Sequence, residues 1–194
     1  VHNGIGNLNV VFTGIKFDAT IDIASDSGNE MLVTLHHCYL SPGTGADAFT
    51  VSAGVVSENL ELYDCAVNAR RMFTDVDNSA EGVNLRLSRC VVRVATDFTG
   101  TLPTYALHMT DCTVSARCHI QGICDGLELV DNDFQGTTLL INVVPPANSF
   151  TTMRIVGNRL IANTTGATAN TIRSARGEIV GNFLLGTLLG TTVG

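Results

Sequence analysis

Residues able to do chemistry are few in this chain and fall into small groups. Asp75 with Asp77, and Asp131 with Asp133, are carboxylates at alternate positions, the arrangement in which one acts as acid and the other as base on a glycosidic bond. Arg70 and Arg71 precede Asp75 and Asp77, which brings together the two components of lyase chemistry, a basic proton acceptor and an acidic cation-binding cluster. His36 and His37 are adjacent; on a strand they face opposite sides and cannot ligate one metal together. His108 lies one structural repeat before Glu128, and Cys38, Cys65, Cys90 and Cys112 recur at similar intervals.

For each group the plainer reading is the stronger one. Paired aspartates are turn formers, and a His beside a Glu on an outer face reads as a solvated ion ladder. No residue is singled out as catalytic, cofactor-binding or metal-ligating. There is no Trp, with 3 Tyr and 8 Phe, so a sugar cleft paved with aromatics is not indicated. Tyr39, Tyr63, Tyr105 and Phe183 remain as candidate exposed platforms.

The elements that must position these residues are strands. Helical periodicity is sparse, whereas Val, Ile, Thr, Gly and Asn separate short apolar runs. An octet then recurs: residues 10–17, 33–40, 60–67, 85–92, 107–114, 127–134, 153–160 and 177–184. Its third residues are Phe12, Leu35, Leu62, Leu87, Met109, Leu129, Ile155 and Ile179, at successive spacings of 23, 27, 25, 22, 20, 26 and 24. Positions one and three are apolar and position two is usually polar, the signature of a strand with one buried face. A bend follows at positions five and six, and position eight returns to the core as the start of a second strand.

Apolar stretches between octets, such as 48–56, 118–123 and 138–144, are expected to supply a third strand. Three short strands and three turns in each repeat predict an all-β, single-domain parallel β-helix over residues 1–194. It would be three-faced, of about eight coils, with a right-handed crossover. The octets, above all Leu129-Val-Asp-Asn132 and the Ile-Val-Gly-Asn runs ending at Asn158 and Asn182, resemble the repeat of the right-handed parallel β-helix, or pectin-lyase-like, superfamily. The resemblance covers nearly the whole chain. It implies polysaccharide lyases and hydrolases as well as phage tailspikes, adhesins and virion surface proteins. The Asn-Thr-Asp, paired-Asp, Gly-His-Gly and Arg-Ile-Lys segments of its polygalacturonase-like members are missing.

Stacking converts octet positions into columns. Position six reads Ile15, Cys38, Cys65, Cys90, Cys112, Asn132, Asn158, Asn182. Asn is expected there because it tolerates a left-handed bend and its amide can bond the amides above and below. The Cys are then expected to be small buried hydrophobes at the same inward site. A Cys38–Cys65 or Cys90–Cys112 bridge is the minor alternative. A zinc site is weaker still, because a line of thiols is not a tetrahedron and Cys118 with Cys124 has the wrong spacing.

Position two reads Val11, Thr34, Glu61, Arg86, His108, Glu128, Arg154, Glu178, an outward row in which unlike charges pair across coils and fix the register. Asp64, Arg89 and Asp111 repeat the device at position five.

Composition restricts function further. A net charge of −7 disfavours a sequence-independent grip on nucleic acid. No apolar run is long enough to span a bilayer and residues 1–10 do not read as a signal, so a soluble chain is expected. The first residue is Val and not Met, which reads as a processed piece of a longer chain. The tail 183–194 is apolar and uncharged, so it is expected to pack on a partner.

Together with the missing active-site motifs, the resemblance implies a structural or receptor-binding β-helix of a virion or extracellular setting. Such proteins are commonly homotrimers and contact other virion proteins, with a surface polysaccharide as candidate ligand. The alternative is a secreted polysaccharide-degrading lyase or glycoside hydrolase.

Overall fold

A computed structural model describes residues 8–23, 31–51, 58–73, 83–95, 102–116, 118–136, 139–144, 151–162, 171–172 and 175–185. Each octet bends once and contributes a strand on either side of the bend. The first yields β1 (Leu8–Thr13) and β2 (Lys16–Phe17), followed by β3 (Ile21–Ile23); the second yields β4 (Met31–His36) and β5 (Tyr39–Gly43), followed by β6 (Phe49–Val51). Next come β7 (Glu58–Tyr63) with β8 (Ala66–Ala69), β9 (Val83–Ser88) with β10 (Val91–Val94), and β11 (Leu102–Thr110) with β12 (Thr113–Ala116). The chain continues through β13 (Cys118–Val130), β14 (Asp133–Gly136), β15 (Leu139–Val144), β16 (Thr151–Val156), β17 (Arg159–Ala162), β18 (Thr171–Ile172), β19 (Ala175–Val180) and β20 (Phe183–Leu185).

Every strand pairing among the described residues is parallel, and the protein is a parallel β-solenoid. The second strands of the octets form one eight-stranded sheet, β2-β5-β8-β10-β12-β14-β17-β20, and the first strands lie in a ten-stranded sheet. Register follows the octets residue for residue: Phe12 pairs with Leu35, Leu35 with Leu62, Leu62 with Leu87, and Ile155 with Ile179. Positions one and three form the core, where Leu35, Leu60, Leu62, Leu85, Leu87, Leu107, Met109, Leu127 and Leu129 are almost wholly buried. Phe134 joins them at position eight, while Phe12 and Phe17, in edge-to-face contact at 5.6 Å, are only partly covered.

Two expectations about the coil need correction. The third face is present early, where β3 pairs with β6 and Phe49 bridges to Phe73. Residues 118–123, however, run without a corner into the next octet as the thirteen-residue β13 and belong to the first sheet. β15 joins them there. The step from Met109 to Leu129 is the shortest between any two successive octets, but β15 lies in the 26-residue step from Leu129 to Ile155, so chain length alone does not account for the merging. Among the described residues, complete three-sided coils are therefore fewer than the eight expected.

The left-handed residue, secondly, is position five and not position six. Gly14, His37, Asp64, Arg89, Asp111, Asp131, Gly157 and Gly181 all have φ between 52° and 69°. Gly, Asp and Asn adopt this region most readily. Arg89 is the unusual occupant, and its guanidinium grips Asp64 with two bonds of 2.7 Å.

Position six is freed by that bend to point inward, and its side chain bonds the coil before it. Asn132 Oδ1 accepts from Cys112 N–H at 2.9 Å, Asn158 Oδ1 from Asn132 N–H at 2.9 Å, and Asn182 Oδ1 from Asn158 N–H at 2.9 Å. Each Asn Nδ2 also donates to the position-three carbonyl of the preceding coil, that of Met109, Leu129 or Ile155. The cysteines do the same with sulfur: Cys65 Sγ accepts from Cys38 N–H at 3.4 Å and donates to Leu35 O at 3.3 Å. Cys112 Sγ accepts from Cys90 N–H, and Cys90 Sγ donates to Leu62 O. The thiol is thus more than a small hydrophobe; it is a softer version of the amide, using one acceptor and one donor.

A buried donor or acceptor left without a partner costs about 1–3 kcal/mol. Asn158→Ala strands Asn132 N–H and Leu129 O together, so it is expected to lower stability by about 2–5 kcal/mol in urea unfolding followed by circular dichroism. Asn158→Cys, which keeps a weak acceptor and donor, is expected to lose clearly less. Equal losses would show that the ladder bonds contribute little.

Candidate functional site

The outer face of the first sheet carries the densest polar array among the described residues. Strands β7, β9, β11, β13, β16 and β19 present their octet second residues in register, so Glu61, Arg86, His108, Glu128, Arg154 and Glu178 form a row. The row is connected. Arg154 Nη1 lies 2.9 Å from Glu128 Oε1 and Arg154 Nε 2.9 Å from Glu178 Oε1, while His108 Nδ1 lies 3.0 Å from Glu128 Oε2. Arg86 stands 3.9 Å from Glu61, whose Oε2 accepts from the Tyr63 hydroxyl at 3.1 Å. Thr34 departs from the outward pattern and is buried between its register neighbours Val11 and Glu61.

A shallow depression of about 300 Å³ runs beside this row, floored by Asn59, Asn84, Leu85 and Ala106. A second, of about 340 Å³, continues it past Gly126 and Thr152 to Gly177. Asn84 Nδ2 donates to Asn59 Oδ1 at 3.0 Å along the same edge. Small residues at Ala106 and Gly126 keep the floor low, so the charged row forms a wall.

The electrostatics favour ionised, occupied carboxylates. The hydrogen bond from His108, then that from Arg154, holds Glu128 below its ordinary 4.5. Arg154 is raised in turn by Glu128 and Glu178. A carboxyl depressed in this way is charged at neutral pH, the opposite of what a general acid needs.

The remaining candidates are placed as follows. His36 stacks on the Tyr63 ring with centroids 5.0 Å apart, and His37 occupies the bend with Nε2 3.8 Å from Asp64 Oδ2, so the two histidines do not converge. Asp131 is at its left-handed bend, whereas Asp133 lies on β14, where it accepts from Arg159 and from Gln135. Asp75 and Asp77 lie outside the described residues. Tyr39 and Phe183 are exposed and Tyr63 is half-buried; of Tyr105 the structure describes only the backbone, on β11. No group of three or more His, Cys, Asp or Glu among the described residues is arranged to hold a metal ion.

The Arg70–Arg71 pair has a partner that sequence reasoning missed. Asp47, 4% exposed, receives Arg70 Nε and Nη2 at 2.8 Å each, and Arg71 Nε and Nη2 at 3.3 and 3.0 Å. Burial alone would raise this carboxyl, but the two guanidinium groups outweigh it and the net shift is downward. Thr20 Oγ1 bonds the Asp47 carbonyl and Arg70 N–H bonds Ala46 O, so the clamp pins one corner across three coils. The signal was available: Arg70 follows Asp47 by one coil length.

Cys38, Cys65, Cys90 and Cys112 are free and buried. Contact with the Cys90 thiol, and then burial, pushes Cys65 well above the ordinary thiol range. Cys90 is pushed up to about 12, chiefly by its contact with Cys112. Comparison with family models, curated proteins and solved structures finds no match in any of the three.

Two measurements check this description. The stability that Glu128 adds is complete above its unfolded value near 4.5 and is lost as pH falls through its lower folded value. Urea midpoints should therefore drop between pH 5 and pH 3, and Glu128→Gln should flatten that drop. In native protein at pH 8, mass spectrometry after alkylation should find the four column thiols unmodified, with labelling only after unfolding; rapid native labelling at Cys65 or Cys90 would contradict their burial.

Proposed function

We propose that this chain is a structural or receptor-binding β-solenoid of the kind found in phage tailspikes, fibres and capsid decorations, acting without catalysis in this segment. The observation that carries the reading is the state of the outer carboxylates. Glu128, Glu178, Glu61, Asp64 and Asp133 are each engaged by a cation on a neighbouring coil, and Asp47 by two. Exposed pairs of this kind add little stability individually, but as a series they fix the stagger of the coils. Charge is spent on register here.

The resemblance of the octets to the pectin-lyase-like repeat supports a setting on a virion or outside the cell. It also supports a homotrimeric assembly in contact with other virion proteins. The low-walled depression along the first sheet offers amide, hydroxyl and charged groups to a surface polysaccharide.

Incubation with a panel of acidic and neutral polysaccharides is expected to yield no new reducing ends and no unsaturated products. Product formation that disappears in Glu128→Gln would overturn the proposal in favour of a lyase or hydrolase.

A further inference from the structure

Four free thiols stand on four successive coils at one octet position, Cys38, Cys65, Cys90 and Cys112, each 1–2% exposed. All four sulfurs lie against main-chain carbonyls. Cys38 Sγ is 3.3 Å from His36 O, Cys65 Sγ 3.3 Å from Leu35 O, Cys90 Sγ 3.4 Å from Leu62 O and Cys112 Sγ 3.3 Å from Thr110 O. Two of them also receive a main-chain N–H of the coil before, Cys65 from Cys38 at 3.4 Å and Cys112 from Cys90 at 3.5 Å. The bonds to carbonyls need the thiol proton, and a disulfide sulfur has none to donate. A Cys65–Cys90 bridge would remove the donors that Leu35 O and Leu62 O now hold.

Spacing adds a second constraint. Coils lie about 4.8 Å apart, so neighbouring rungs are within the Cα range of a disulfide, roughly 4.4–6.8 Å. Rungs two or three coils apart are about 10 Å or more from each other and are outside it. Of the six pairings open to the four thiols, three join such distant rungs. Cys118 and Cys124 add further pairings outside the column. In the unfolded chain, where the column residues follow one another at intervals of 27, 25 and 22, every one of these pairings is open.

We propose that this column makes folding conditional on reduction: the chain stacks only while its four thiols are free, and the finished stack then closes them off from oxidant. Oxidation before folding consumes two thiols for every protein disulfide. With glutathione disulfide as the oxidant, a protein thiolate attacks its S–S bond, releases one glutathione thiol and forms a mixed disulfide. A second protein thiolate then releases the other glutathione thiol. Each bond formed in this way either ties together rungs that the stack must keep apart or takes the proton from a rung. Oxidation after folding is a different case, because attack requires an accessible thiolate and all four thiols are buried. Asn132, Asn158 and Asn182 continue the column with amides, which thiol–disulfide exchange does not touch, so the sensitivity is confined to the cysteine half. The device suits a chain that stacks in a reducing compartment and meets an oxidising one only once closed. It is independent of whether the outer face is structural or catalytic.

The test unfolds the full 194-residue chain in urea, treats it with glutathione disulfide and dilutes it to refolding conditions beside a sample held with reduced glutathione. Circular dichroism is expected to show the β signal restored in the reduced sample and little of it in the oxidised one, which regains it on addition of dithiothreitol. Folded chain given the same oxidant should keep its signal and its four free column thiols. Two variants locate the effect. Cys38→Asn with Cys65→Asn, Cys90→Asn and Cys112→Asn carries the amide ladder through the column and should refold alike in both buffers. Cys118→Ser with Cys124→Ser should keep the full difference. The proposal is overturned if the oxidised chain regains the β fold without reductant, or if the folded protein loses its column thiols to the oxidant. It is equally overturned if the difference vanishes when Cys118 and Cys124 are replaced, which would place it outside the column. Should the four-Asn variant fail to fold, the Cys118 and Cys124 variant and the unmodified chain decide. Should the unmodified chain fail to refold from urea even when reduced, cell-free synthesis in the two buffers, read by protease resistance, takes the place of refolding.

Discussion

The stack depends on one repeated bond, in which a side chain at octet position six accepts the main-chain N–H of the same position one coil earlier. A parallel ladder leaves donors at each bend that strand pairing cannot reach, and burying each of them unpaired would cost about 1–3 kcal/mol. Asn132, Asn158 and Asn182 meet that demand with an amide, while Cys65 and Cys112 meet it with sulfur. Everything else follows from the geometry this imposes. Leucine columns pack because position six is inward, and the charged row pairs because position two then faces out.

The left-handed bend is the other half of the same constraint. It must occur one residue before the inward side chain, so position five tolerates Gly, Asp, His and even Arg, while position six tolerates little beyond Asn and Cys among these coils. Assigning the bend to Asn was reasonable on conformational preference alone. It fails because the hydrogen-bonding requirement at position six outranks that preference, and the bend moves to the preceding residue.

The regular half of the fold was legible because columns are a property of spacing. Phe12, Leu35 and Leu62 announce the core, and Glu128 with Arg154 and Glu178 announces the outer row. The inter-octet segments were not legible, because an apolar run such as residues 118–123 looks alike whether it turns a corner or runs straight on. The step from Met109 to Leu129 is the shortest, yet residues 139–144 join the same sheet within a 26-residue step, so spacing does not distinguish the cases. Asp47 was missed for a different reason: its partners Arg70 and Arg71 lie outside the octets, where no column had been defined. For activity the sequence holds no comparable signal, since the carboxylates that stand out by type serve the register of the stack.

The variation in coil length has its own meaning. The steps between octets are unequal while the octets themselves stay in strict vertical alignment, so additions and deletions enter between octets and do not disturb the axis. The molecule is a graduated ruler whose marks are fixed by one octet in each coil, while the intervals between the marks differ in length. Insertion and deletion are thereby steered into the intervals and away from the spine that keeps the stack in line.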